Sequence, residues 1–356
     1  MAKWPCRVLI VDDSALMRRS VKAILEKSSK IAVVGAARDG VDALAKVAEL
    51  KPDLVTLDIN MPNMDGLTCL AHLKEEYPEV TVVMVSSLTD EGASATLEAI
   101  ELGAIGYVAK PGTMSSRLSQ VEDEILETVL GGHEMACQPS RKRRRRAAPP
   151  AVVEAPPVRT RAATSFDKLL IIGISTGGPA TIMDVLPELP ADYPYPVILV
   201  QHMPAAFTAP FAERLDKHCA LTVRESSNSM PLEVGTVTVV HGGVNAEVHQ
   251  ERVGRYHIRH RKADPKAFFY IPNIDFTIQT ATRALSPERI IAVIMTGIGD
   301  DGAKAAHFVD THGGVALAEA EETSVVYGMP KALADLGCSH VEPSYRMTRR
   351  ILRVSR

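Results

Sequence analysis

At 356 residues, with 46% hydrophobic and 23% charged residues, the chain has the length of about two domains and an ordinary globular composition, which excludes a single small module, a collagenous repeat and a wholly disordered polymer. The formal net charge of −3 is uneven: residues 1–130 carry 13 Lys+Arg against 20 Asp+Glu, residues 131–165 carry 8 against 2, and the remainder 19 against 21. No apolar run approaches the roughly 18 residues of a membrane span, and MAKWPCRVLIVDD reaches acidic residues too soon for a signal peptide, so a cytoplasmic location is expected. Five scattered cysteines without a Cys-x-x-Cys pair suggest neither a disulfide framework nor a zinc cluster.

In chain order, strands are predicted at 7–11, 32–36, 54–57, 80–85 and 106–109, each followed by a helical segment. Continuous Val, Ile and Leu runs are buried on both faces, the habit of a parallel sheet covered by helices, so five βα units in a doubly wound α/β domain are expected. Such sheets bind ligands beyond the carboxyl ends of their strands. There stand Asp12 and Asp13, then Asp58, then Ser86, then Lys110 and Pro111. Crowded carboxylates repel one another, and a hard divalent cation such as Mg²⁺ bound through oxygen relieves the repulsion. That ion and Lys110 would neutralise an incoming phosphoryl group while Asp58 attacks phosphorus to form an aspartyl phosphate. Acids after strands also serve as helix caps, a role open to Asp13 and Ser14.

The segments VDDSALMR, LDINMPNMDGL, MVSS and AKP together resemble the receiver domain of two-component response regulators, over about residues 5–125. The resemblance implies that Asp58 is the phosphoacceptor and that Asp12 and Asp13 are metal ligands. It gives Asn60 a metal contact through its backbone carbonyl, and makes Ser86 and Lys110 sensors of the phosphoryl group.

After a first domain at 1–128, residues 129–165 hold Gly131, Gly132, the run RKRRRR at 141–146 and the prolines Pro149, Pro150, Pro156 and Pro157. Like-charge repulsion, proline and scant apolar surface predict an extended tether, with phosphate or an acidic surface as the other use of the arginines. A second domain, doubly wound and mostly parallel α/β, is expected at 166–356. There three aliphatic runs, 169–174, 197–200 and 290–295, lead into Ser175-Thr176-Gly177-Gly178, Gln201-His202-Met203 and Thr296-Gly297-Ile298-Gly299-Asp300-Asp301-Gly302. If these strands are parallel, their carboxyl ends share an edge where Ser175, His202 and Asp301 converge. A serine hydroxyl needs an imidazole to take its proton, and the imidazole needs a carboxylate to fix its tautomer. GISTG fits G-x-S-x-G, but the chain order Ser, His, Asp departs from an ordinary α/β-hydrolase. A nucleotide cradle also suits a Gly-rich turn, yet neither G-K-[ST] nor G-x-G-x-x-G is present.

GISTGGP, QHMPAAFTAPFAERL, MTGIGDDGA and SVVYGMPKAL, in this order behind a receiver, resemble the chemotaxis protein-glutamate methylesterase and glutaminase family. With both domains the likeness spans nearly the whole chain. It implies Ser175 as nucleophile, His202 as general base and Asp301 as orienting carboxylate, with Asp300 a solvent-facing rival. It further implies γ-glutamyl methyl esters, and sometimes glutamines, of chemoreceptor arms as substrates, and no cofactor for the esterase step. A chemotaxis histidine kinase is the implied phosphodonor, and the unphosphorylated receiver obstructs the catalytic edge. Where relatives commonly carry an arginine before the Pro272–Asp275 turn this chain has Ile271, and Arg255, Arg259 and Arg261 stand nearby. His257 and His260, alternating with arginines, read as an exposed strand, and Met203, Met295 and Met329 as packing residues. The competing reading is a response regulator whose output domain binds protein or nucleic acid without turnover. A basic recognition helix is not apparent, so nucleic acid is not an expected partner.

Overall fold

The computed structural model describes residues 4–86, 90–110, 118–137, 164–264, 268 and 270–356. The chain divides into two compact units, Met1–Ala148 and Pro149–Arg356. The RKRRRR run and its flanking prolines lie outside the described residues.

In the first unit, β1 (Cys6–Val11), β2 (Ile31–Ala37), β3 (Leu54–Asp58), β4 (Thr81–Ser86) and β5 (Gly106–Ala109) alternate with α1 (Ala15–Leu25), α2 (Gly40–Leu50), α3 (Gly66–Glu76), α4 (Asp90–Glu101) and α5 (Leu118–Ala136). All strand pairs are parallel, in the order β2-β1-β3-β4-β5. Strands 3 and 4 are buried at every position, which their apolar runs require. Ser14, Asp39 and Asp65 each end a strand-to-helix turn by accepting a backbone N–H of the helix they start. These caps fix where the chain leaves the sheet and so hold the strand ends.

One predicted boundary needs correction. Residues 129–136 are not tether, because α5 continues through Gly131 and Gly132 to Ala136. At Gly132 a Cβ would stand 2.1 Å from the Ile105 side chain. The glycine lets the helix press against the β5 entrance, and close packing offsets its poor helix propensity.

The second unit contains β6 (Leu169–Ile174), α6 (Gly178–Thr181), β7 (Val197–Gln201), α7 (Ala205–Asp216), β8 (Thr222–Glu225), β9 (Met230–Pro231), β10 (Thr236–Val239), β11 (Val244–Arg252), β12 (Arg255–Lys262), α8 (Ile274–Leu285), β13 (Ile290–Ile294), α9 (Ala303–Thr311), β14 (Val315–Glu319), α10 (Met329–Asp335), β15 (Val341–Glu342) and α11 (Ser344–Val354). A seven-stranded parallel sheet runs β15-β14-β13-β6-β7-β10-β8, and a separate antiparallel sheet runs β11-β12-β9. Alternate strand residues Ile171, Ile198, Ala292, Ile294 and Ala316 pack with Ile274 and Ile278 of α8 and Val309 of α9. Their neighbours Leu170, Ile172, Leu199, Val293 and Leu317 are equally buried outside that cluster. Each such aliphatic side chain contributes roughly 1.5–3 kcal/mol on burial. The two-sided burial accounts for the unbroken apolar runs.

Register carries this packing to the strand ends. Ile174 pairs with Gln201 and Ile294 with Gly173, so β13, β6 and β7 stop at one level. The arginine- and histidine-containing segment at 255–262 is a half-exposed strand, β12, in the small sheet.

Candidate phosphoacceptor and catalytic sites

At the carboxyl edge of the first sheet, Asp12 and Asp13 follow β1, Asp58 ends β3, Ser86 ends β4 and Lys110 follows β5. The structure brings these five residues together, Ser86 and Lys110 being joined by a backbone bond from Lys110 N–H to the Ser86 carbonyl (3.0 Å). Lys110 Nζ lies 2.7 Å from Asp58 Oδ2 and 3.1 Å from Asp12 Oδ2. Asp58 Oδ1 accepts the Ile59 N–H at 2.8 Å. Asp12 Oδ1 accepts the Ser14 N–H, also at 2.8 Å, so Asp12 shapes the turn as well as the pocket.

Burial pushes the Asp58 carboxyl above the usual carboxylate range, against the pull of Lys110. Half-burial disfavours the Lys110 charge, but Asp58 and Asp12 together hold the ammonium above its ordinary pKa. Oxygens of Asp12, Asp13 and Asp58 lie within 4.8 Å of one another. Three carboxylates facing one ammonium leave the pocket net negative, and an all-oxygen donor set of this spacing suits a hard divalent cation. Asn60 lies exposed, two residues beyond Asp58.

In the second unit, Ser175 follows β6 and His202 follows β7, so their strands set them side by side. Gln201 Nε2 donates to the carbonyls of Ser175 (3.1 Å) and His202 (3.0 Å), tying the two strand ends. Asp301 arrives on the loop after β13. Its Oδ2 lies 2.8 Å from His202 Nε2, and both side chains are buried. The carboxylate also accepts the Ile274 N–H at Oδ2 (2.8 Å) and the Asp275 N–H at Oδ1 (2.9 Å), the first amides of α8. Burial alone would raise the Asp301 pKa. The His202 bond and the two helix amides outweigh it and hold the group below the usual range. An ionised carboxylate only accepts, so His202 Nε2 carries the proton and Nδ1 the lone pair. Nδ1 is buried without a hydrogen bond among the described residues. Asp300, by contrast, is exposed and pairs with Lys304 at 3.3 Å.

Close backbone approach shapes the serine turn. A Cβ at Gly297 would stand 2.6 Å from Ser175 Cβ and 2.4 Å from Met329 Sδ, so this neighbour of the serine can carry no side chain. At the start of α6, Gly178 N–H donates to the Ser175 carbonyl at 2.8 Å and is taken up within the turn. Thr176 and Gly177 are the turn residues whose N–H groups donate no hydrogen bond among the described residues.

Several participants carry no spacing signal in the sequence. Tyr270 stacks on the His202 imidazole with centroids 4.3 Å apart and planes 7° from parallel. Thr296 accepts the Ser175 N–H through its carbonyl (2.9 Å) and donates its hydroxyl to the Thr176 carbonyl (2.8 Å). Beneath it, fully buried Glu319 accepts the Thr296 N–H (2.8 Å) and the Thr323 hydroxyl (2.7 Å), and burial pushes its carboxyl up to about 7. Glu319 was legible only as an acid ending the apolar run VALAE. Arg261 does not reach the catalytic residues but pairs with Glu247. His260 bonds Ser226 at 2.8 Å, and Met203, Met295 and Met329 are buried packing residues.

An acidic pocket with its lysine on one parallel sheet, joined in one chain to a second sheet edge bearing serine, histidine and aspartate, defines a response regulator with an enzyme as its output. Comparisons with known proteins agree. The family model for the response regulator receiver domain matches residues 8–122, and that for CheB methylesterase matches residues 170–351. The chain is 43% identical to the protein-glutamate methylesterase/protein-glutamine glutaminase 2 of Carboxydothermus hydrogenoformans, covering 98% of this chain and 99% of the relative. It is 44% identical to a protein of the same designation, numbered 3, from Rhodospirillum rubrum, covering 93% and 91%. The crystal structure of the Thermotoga maritima CheB methylesterase catalytic domain is 36% identical, with a TM-score of 0.50, and covers 52% of this chain and 98% of that one. The chain belongs to the CheB family of chemotaxis protein-glutamate methylesterases and protein-glutamine glutaminases. The reading of the second unit as a binding module without turnover is not favoured.

Proposed function

We propose that this enzyme hydrolyses γ-glutamyl methyl esters, and glutamine side-chain amides, on the cytoplasmic arms of chemoreceptors, with Ser175 as nucleophile, His202 as general base and Asp301 as orienting carboxylate. The observation that carries the assignment is the 2.8 Å contact of His202 with an Asp301 anchored on the α8 amides, beside Ser175. His202 Nδ1 takes the Ser175 proton as Oγ attacks the side-chain carbonyl. Asp301 stabilises the imidazolium that results, and the Tyr270 face stacked on it adds a cation–π contribution. Thr176 and Gly177 N–H groups are the donors for the oxyanion. The imidazolium returns its proton to the departing methanol, or to ammonia from a glutamine. Water, deprotonated by His202, then splits the acyl-serine and leaves glutamate. This step uses side chains and backbone alone.

Control rests with Asp58. A chemotaxis histidine kinase is the expected phosphodonor, and the whole exchange belongs in the cytoplasm. No helix among the described residues is long and apolar enough to cross a membrane. A divalent cation, Mg²⁺ by the hardness of the donors, would be held by Asp12, Asp13, Asp58 and the Asn60 carbonyl, and supplies positive charge beside the incoming phosphoryl group. Asp58 Oδ2 attacks phosphorus as the bond from phosphorus to the donor's histidine nitrogen breaks and the imidazole leaves, and Lys110, already bonded to that oxygen, moves to the phosphoryl oxygens. Ser86 takes up a further oxygen. Phosphorylation then raises turnover at Ser175. The direct test is methanol release from a methylated receptor, with and without a small phosphodonor. Turnover that rises severalfold with the phosphodonor is expected, and no methanol under either condition would overturn the assignment.

A further inference from the structure

At the amino-terminal edge of the first sheet, away from Asp58, folding gathers residues that the sequence keeps far apart. Cys6 opens β1, Asp53 sits just before β3, and His133 lies in the last turn of α5. The Cys6 sulfur, a ring nitrogen of His133 and a carboxylate oxygen of Asp53 lie within 4.8 Å of one another. Cys6 and His133 are buried and Asp53 is exposed, which leaves the cluster a face open to solvent. Cys137 follows His133 by four residues and continues the helix, its N–H donating to the His133 carbonyl (3.2 Å). Cys137 lies outside the trio whose donor atoms meet.

We propose that Cys6, Asp53 and His133 form a binding site for a borderline divalent transition metal, Zn²⁺ being the best match. One sulfur, one imidazole nitrogen and one carboxylate oxygen make a three-donor set that zinc completes tetrahedrally with a water on the face open to solvent. The soft sulfur separates this site chemically from the all-oxygen pocket at Asp58. Asp53 keeps one oxygen for the Arg7 N–H (Oδ2, 2.8 Å) and has a second to offer a metal. Without metal, burial above all pushes the Cys6 thiol up to about 12, so a bound cation must displace its proton. Such an ion would fasten the start of β1 and the loop before β3 to the end of α5, where the chain leaves the receiver.

Trp4, the one tryptophan of the chain, stacks edge-on against His133 with centroids 5.0 Å apart and reports on the site. The experiment titrates Zn²⁺, then Co²⁺, into metal-stripped full-length protein with excess Mg²⁺ present to occupy the oxygen pocket. Binding of one Zn²⁺ with a change in Trp4 emission is expected, together with a thiolate-to-cobalt charge-transfer band. Cys6→Ser should abolish that band. His133→Gln and Asp53→Asn, which leave the sulfur in place, should lower Zn²⁺ affinity by about 10-fold or more. Wild-type protein without the band overturns the proposal. So does a band that survives Cys6→Ser, or an affinity unchanged in both His133→Gln and Asp53→Asn, and these last two variants decide the matter if Cys6→Ser fails to fold.

Discussion

The two carboxyl edges use one architectural device for opposite electrostatic ends. At the receiver edge, Asp12, Asp13 and Asp58 face a single ammonium, and the excess negative charge favours a cation. At the catalytic edge the Asp301 carboxylate is balanced by two helix amides and an imidazole before any substrate arrives. The first site is built to change its charge and the second to keep it. A switch needs an arrangement that a ligand can rebalance, whereas a general base needs one that holds its proton where the reaction wants it.

The sharpest way to break the comparison is Ser175→Ala. Methanol release should fall on the order of 10⁴-fold or more while Asp58 still takes a phosphoryl group. Equal release from the variant and the parent enzyme would mean that the second edge is not the catalytic one. Asp301→Asn should follow, with a loss of about 10³-fold or more in kcat, because the amide no longer enforces the Nε2–H tautomer of His202. Thermal unfolding should also register this change, since two α8 amides lose a charged acceptor, about 1–3 kcal/mol.

Asp58→Ala tests the other edge. The variant should keep basal methanol release and lose the severalfold response to a phosphodonor, and identical responses from variant and parent would remove Asp58 from control. A smaller effect is expected at Tyr270→Ala, about fivefold in kcat for the loss of roughly 1 kcal/mol of stacking on the imidazolium. Its KM should change little if the ring serves His202 and not the substrate.

Smallest is the effect of Glu319→Gln, read as pH dependence. Burial pushes the folded carboxyl up to about 7, from an ordinary value of 4.5. Its neutral form is therefore favoured by folding, a contribution complete below about 4.5 and lost as pH rises through about 7. Denaturant unfolding of the variant should lose on the order of 1–2 kcal/mol less than the parent between pH 5.5 and 8. Parallel curves would show that the hydrogen bonds from Thr296 and Thr323 keep the group ionised.

The strand ends that carry Asp12, Asp58, Ser175 and His202 were legible because unbroken aliphatic runs and their polar stops are local signals. The placement of Asp301 against His202 was readable as an expectation of convergence. Its anchorage on the α8 amides was not, since backbone donors have no letter in the sequence. Gly131 and Gly132 read as tether because glycine's local preference was weighed without the Ile105 contact that makes a helix fit there. The antiparallel sheet β11-β12-β9 escaped a reading guided by parallel α/β repetition. Tyr270 and the Cys6 cluster were invisible for a different reason: each depends on contacts between segments whose separation follows no period.

Asp301 has a counterpart in Asp275. The first accepts the opening amides of α8, and the second, from within α8, accepts the Ala305 N–H near the start of α9 (2.9 Å). The two helices are thus latched to each other through the acid bonded to His202. A substitution that loosens the latch therefore also shifts the carboxylate against the imidazole, whereas one on the outer faces of α8 and α9 touches neither.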